Sequence, residues 1–138
     1  MRVKVVIGCV AALGASIAFI AAAPAATTSG AAPRLLTSVN VVAGKPSEFK
    51  FKLSRTSVPH GVVRFNIANQ GLLPHTFKVC SAPNRPLVDT CNGTGSQMLS
   101  PGSGTSMSVT LLRKGSYEYL CTVPGHAAAG MKGILKVT

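Results

Sequence analysis

At 138 residues, with a formal charge of +11 from 14 Lys and Arg against three acids, the chain has room for one compact domain and not two once a leader is set aside. The basic residues are scattered along many segments with no aromatic-rich stripe beside them. That pattern argues against nucleic acid as a partner and favours proteins with acidic docking surfaces.

The N-terminus reads as a secretory signal. Arg2 and Lys4 form a basic start, Val5 to Ala22 is apolar and uncharged, and Ala23-Pro24-Ala25 supplies small residues for cleavage. Cleavage is placed after Ala25, because a cut after Ala23 would leave proline at the first mature position. The apolar run is also about long enough for a membrane span. An uncleaved anchor is therefore the alternative, and a membrane is a partner only in that case. Val6 to Cys9 superficially resembles a lipoprotein cleavage site, but no proper apolar region precedes it. The expected location is exported, periplasmic or extracellular, with residues 1–25 as signal, 26–34 as a flexible Ala/Thr/Ser/Pro tether and 35–138 as the folded domain. Without Arg2 and Lys4, the twelve remaining basic residues outweigh Glu48, Asp89 and Glu118 to leave a charge of about +9.

From Leu36 onward the sequence alternates with period two, and no stretch sustains a helical period. Leu36 to Val42 predicts a first strand, and Phe49, Phe51 and Leu53 alternate with polar residues in a second. Val63, Phe65 and Ile67 repeat the pattern, followed by Phe77 and Val79, then by Met107, Val109 and Leu111. Tyr117, Tyr119 and Cys121 make another strand, and Leu135 with Val137 the last. Turn signals at 43–46, 69–71, 101–104 and 114–115 separate them. The expectation is an all-β, Greek-key antiparallel sandwich of about seven to eight strands, and a monomer. Residues 81–100, rich in Pro, Asn, Gly and Ser, predict a long excursion in which a short helix is one option. His60, in a turn before a strand, is read as structural or incidental.

The chemistry is concentrated near the C-terminus. Cys121, His126 and Met131 place a thiolate, an imidazole and a thioether at five-residue intervals, with Pro124-Gly125 providing turn chemistry between them. A second imidazole is available from His75, where a loop enters the strand of Phe77 and Val79. Two His, one Cys and a weak axial Met are the ligand set of a type 1 copper site. Each residue alone has a plainer reading, a buried thiol or a methionine filling the core; their conjunction is what carries the assignment. The remaining mature cysteines, Cys80 and Cys91, are a candidate disulfide, and pairings that use Cys121 would sacrifice the metal thiolate. Three histidines in the whole chain are too few for a multinuclear copper oxidase centre.

At Pro74 to Phe77 and Cys121 to Met131 the sequence resembles the cupredoxin family, the small blue copper proteins that include plastocyanin, azurin, auracyanin and rusticyanin. Residues 115–121 resemble the family's penultimate strand running into its ligand loop, and residues 130–137 its closing strand. The resemblance implies His75, Cys121 and His126 as equatorial ligands and Met131 as the axial one, for one copper ion cycling between Cu(I) and Cu(II). The four residues between His126 and Met131 match the rusticyanin-like loop length; azurin has one fewer, and plastocyanin a shorter step from Cys to His. By the same resemblance, the backbone N–H groups of Thr76 and Val123 approach the Cys121 sulfur, and the Thr76 hydroxyl latches the ligand loop. Pro74 lacks an N–H and fixes the approach to His75. Leu72, Leu73, Pro74, Pro124, Ala127, Ala128 and Ala129 are the expected apolar docking patch around His126.

The function expected from these residues is one-electron shuttling between redox proteins, with no substrate and no bond chemistry. A copper carrier or scavenger that delivers metal is the rival, and a metal-free adhesion sandwich is a third reading that requires all four ligands to be coincidental.

Overall fold

The structure is a computed structural model and describes residues 36–138; the signal and tether expected at 1–34 lie outside the described residues. Among the described residues, nine strands form two sheets packed face to face. They are β1 Thr37–Ala43, β2 Phe51–Leu53, β3 Ser57–Val58, β4 Gly61–Asn69, β5 Lys78–Cys80, β6 Gly93–Gly95, β7 Gly104–Leu111, β8 Gly115–Leu120 and β9 Lys132–Val137. The first sheet has the order β2-β1-β4-β7 and the second β3-β9-β8-β5-β6.

Alternation dictates which side chains are buried. Val39 and Val41 of β1, Val63, Phe65 and Ile67 of β4, and Val109 and Leu111 of β7 face Phe77, Val79 of β5, Tyr117 and Tyr119 of β8, and Leu135 and Val137 of β9. The centre is aromatic: Phe77 lies 5.1 Å from Phe51, 5.3 Å from Phe65 and 5.5 Å from Tyr119, ring centre to ring centre. These separations fall in the favoured range for edge and tilted pairs.

The fold is the expected all-β sandwich, but its sheets are mixed. β1 runs parallel to β4, in the register Val39↔Phe65, and β3 runs parallel to β9. Between β1 and β4 the chain visits the second sheet through β3, and a crossover of that kind returns a strand in the same direction. Side-chain alternation is the same in either direction, so it carries no sign of this.

The excursion after β5 contains no helix. It returns at β6, which adds an antiparallel edge to β5 with Val79 opposite Thr94. The Cys80–Cys91 disulfide, with its Cα atoms 5.7 Å apart, closes the loop. Its sulfurs pack on Leu120 and Ala127. Glu118, on the same outer face of β8, is buried and accepts the Val88 N–H at 3.0 Å, pinning the middle of the excursion. His60 behaves as a structural residue: its N–H donates to the Thr138 carbonyl at 2.9 Å, tying the end of β9 to the turn before β4.

The turn leaving β4 is built on Asn69, buried at the strand's last position. Its amide nitrogen donates to the carbonyls of Leu73, at 2.8 Å, and Leu99, at 2.9 Å, while its oxygen accepts the Gly71 N–H at 2.9 Å. One side chain thereby holds residues 71–73 against the segment at Leu99.

Replacing Cys80 and Cys91 together by Ser should remove up to about 3 kcal/mol of stability, read as a lower urea midpoint. An unchanged midpoint would mean that Glu118 and the β5–β6 ladder hold the excursion without the bridge. Asn69→Ala removes three hydrogen bonds, leaving the Leu73 carbonyl and the Gly71 N–H without this partner while the Leu99 carbonyl keeps the His75 N–H, and should cost about 2 kcal/mol in the same assay.

Candidate metal centre

β5 and β8 are antiparallel neighbours, with Lys78 opposite Leu120 and Val79 opposite Tyr119. His75 precedes β5 and Cys121 follows β8, so this pairing brings them to the same end of the sandwich. The backbone of His75 is fixed by a two-way bridge to Leu99, its N–H donating at 3.0 Å and its carbonyl accepting at 2.8 Å. The turn after Cys121 closes on itself. Cys121 N–H donates to the Met131 carbonyl at 3.0 Å and Met131 N–H to the His126 carbonyl at 2.9 Å. Gly125, with φ of 82°, supplies the left-handed residue that this turn requires.

The donor atoms converge. His75 Nδ1 and His126 Nδ1 are 3.2 Å apart, Cys121 Sγ is 3.6 Å from His126 Nδ1, and the three donor atoms all lie within 4.8 Å of one another. Met131, fully buried, packs on Cys121 and Ala43. His75 and Cys121 are also fully buried, whereas His126 retains 9% exposure. Phe49 stands edge-on to the His126 ring at 5.0 Å. Two imidazole nitrogens and one thiolate beside a thioether suit a metal that takes soft sulfur and imidazole together, and they suit copper above all.

Thr76 joins the two halves of the site. Its backbone N–H donates to Cys121 Sγ at 3.4 Å, and its hydroxyl oxygen accepts the Thr122 N–H at 2.7 Å. The residue after one ligand is thus bonded to the residue after another. Val123 packs against the Cys121–Met131 cluster, and its carbonyl accepts the His126 N–H at 3.1 Å.

Glu48, Phe49 and Asn69 are the site residues that the sequence did not point to. Glu48 lies in the turn between β1 and β2 and reaches His75 Nε2 with Oε1 at 2.8 Å. The same carboxylate accepts the N–H groups of Leu72 and Leu73, each at 2.9 Å. Those two backbone donors, helped by His75, lower its pKa to about 2. Its one sequence signal is rarity, since it is one of three acids in the chain. Burial and the neighbouring His75 hold the His126 imidazole below its ordinary value.

Of the expected apolar patch, Leu72, Leu73, Pro74, Pro124, Ala128 and Ala129 are exposed, Leu72 to 86%. Ala127 is not part of it. It is buried against Cys80 and Leu120, because the turn directs this one methyl group inward under the disulfide.

Residues 37–138 match the family of copper binding proteins described as the plastocyanin/azurin family. Among curated proteins, Auracyanin-B of Chloroflexus aurantiacus is 44% identical over 54 residues, covering 38% of this chain and 23% of that protein. The Copper-resistant cuproprotein CopI of Vibrio cholerae is 28% identical over 102 residues, covering 67% and 60% respectively. The chain therefore spans less than two thirds of the length of either relative. A solved structure of auracyanin B superposes with a TM-score of 0.60 at 30% identity, over 74% of this chain and 88% of that one. Reduced rusticyanin has the same fold, with a TM-score of 0.57 at 24% identity over 73% and 78%. The fold, the convergent donor set and these matches together place the chain in the plastocyanin/azurin family, the cupredoxins, with His75, Cys121, His126 and Met131 forming its site for one copper ion.

Proposed function

We propose that this cupredoxin is exported and carries single electrons between redox proteins. The observation that carries the reading is the enclosure of the donor set: three of its four side chains are fully buried, and His126 alone reaches the surface. Copper held there supplies a one-electron Cu(II)/Cu(I) couple. The chain supplies everything else. The Leu99 bridge, the Thr76–Thr122 contact and the closed turn fix the ligands before any metal arrives, so little has to reorganise between the two oxidation states. Phe49 and Met131 exclude water from the imidazole and the sulfur.

The surface around His126 suits brief docking. Leu72, Leu73, Pro74, Pro124, Ala128 and Ala129 offer a small apolar contact at which a partner meets the edge of His126. Acids are scarce on the remainder. Glu48 is bound to His75 and the Leu72 and Leu73 amides, Glu118 is buried under the excursion, and Asp89 pairs with Lys132. Such a field speeds encounter with an acidic partner more than it adds to affinity. Export is supported by the basic and apolar residues at 2–25 and by the disulfide, which belongs to an oxidising compartment.

A second reading, copper handling, is favoured by the match to CopI, whose name records copper resistance. Metal retention separates the two. An electron carrier keeps its copper over hours against a moderate chelator, whereas a delivery protein yields it in seconds.

Oxidised, copper-loaded protein should show an intense thiolate-to-copper band toward the red end of the visible spectrum, and Cys121→Ser should abolish it. A colourless Cu(II) protein would reject the type 1 assignment. Stopped-flow electron exchange with an acidic redox partner should slow by tenfold or so as ionic strength rises from about 0.01 to 0.15 M, over which the screening length falls from about 30 to about 8 Å. A rate indifferent to salt would remove the electrostatic part of the proposal.

A further inference from the structure

Glu48 makes a pattern of contacts that the ligand set does not require. Its Oε1 alone lies within hydrogen-bond distance of three donors: His75 Nε2 at 2.8 Å, Leu73 N–H at 2.9 Å and Leu72 N–H at 3.0 Å. Oε2 takes a second contact with Leu72 N–H at 2.9 Å. Backbone is packed over the pair, since a Cβ added to Gly71 would lie 2.5 Å from Glu48 Oε1 and 2.9 Å from His75 Nε2. The carboxylate side chain is only 25% exposed. A charged acceptor held by three donors and roofed by a glycine has one orientation available.

The geometry fixes what this does to His75. Nε2 faces a carboxylate and must carry its hydrogen, so Nδ1 keeps the lone pair, and Nδ1 is the nitrogen that faces His126 Nδ1 at 3.2 Å. We infer that Glu48 is a positioning residue of the copper site: it locks His75 in the tautomer with Nδ1 free for the metal, and its permanent negative charge lowers the reduction potential. The charge effect follows from counting. Oxidised copper with the Cys121 thiolate and the Glu48 carboxylate sums to zero, and the reduced site to minus one. Without Glu48 the same sums are plus one and zero, which favours the reduced form. The inference rests on the copper reading of the site, and its test distinguishes the two.

Glu48→Gln is the decisive variant, because a Gln oxygen standing where Oε1 stands can accept from His75 Nε2, Leu73 N–H and Leu72 N–H without the charge, giving up only the Oε2 contact with Leu72 N–H. The variant should stay blue, which shows the ligands in place. Its potential should rise by an amount equivalent to about tenfold weaker holding of Cu(II) relative to Cu(I), or about 59 mV for one electron. Asp89→Asn, which removes a charge paired with Lys132 away from these contacts, should move the potential far less. Glu48→Ala removes the acceptor as well. In copper-free protein, nitrogen NMR should show His75 as a single Nε2–H tautomer in the wild type and the Gln variant, and as a mixture in the Ala variant. A Gln variant whose potential equals the wild type, or shifts no more than Asp89→Asn does, would overturn the charge role. A single unchanged tautomer in the Ala variant would overturn the positioning role. Absence of the blue band from the wild type itself would instead reject the copper reading.

Discussion

The structure turns on the pairing of β5 with β8. Their register places Lys78 opposite Leu120, and continuing it two residues toward the site sets Thr76 opposite Thr122. The strands have formally ended there, yet the Thr122 N–H bond to the Thr76 hydroxyl at 2.7 Å carries the connection on through a side chain. His75 and Cys121 lie on either side of that link. A slip of one residue in this ladder would turn Phe77 and Tyr119 out of the aromatic core as well as separating the ligands. The burial of the core therefore enforces the geometry of the metal centre.

What hydrophobic packing fixes on one side, polar contacts fix on the other. Asn69 fastens the loop before His75, and Glu48 fastens the ring itself. Both are buried or half-buried groups whose donors and acceptors are matched, so neither leaves a buried polar atom without a hydrogen-bond partner. Rigidity of this kind has to come from outside the donor set, because a metal that changes oxidation state sets different preferences in each.

Legibility from sequence followed distance along the chain. Cys121, His126 and Met131 fall within one turn and could be read as a group, and the long strands announced themselves through alternation of residues such as Phe65 and Ile67. His75 is accessible because it stands where a loop enters the alternating strand of Phe77 and Val79, and its neighbours Pro74 and Thr76 resemble a known segment. Glu48 is not, since it meets His75 across 27 residues and leaves no local pattern. The two-residue β3 and the Gly-Thr-Gly β6 are too short and too plain to alternate, and the parallel pairings depend on connection path alone. Ala127 was misplaced for a similar reason: alanines 127 to 129 are identical in composition, and only the turn decides which one faces inward.

The uneven lengths of the four sheet margins have a consequence for solution behaviour. β2 and β6 have three residues each and β3 has two, so three of the four outermost strands are themselves too short to offer much backbone to another chain. β7 is the exception, with eight residues along the open side of the first sheet. Long open strands are templates for adding a foreign strand, and natural proteins guard them with short lengths, charge or irregularity. Gly104 to Leu111 carries no charged side chain of its own; Arg64 of β4 reaches over it to donate to Ser106 Oγ at 2.9 Å, and Arg113 and Lys114 come only after the strand has ended. The longest open template is thereby β7, on the sheet that contains neither His75 nor Cys121, where added charge improves solubility without touching the copper ligands.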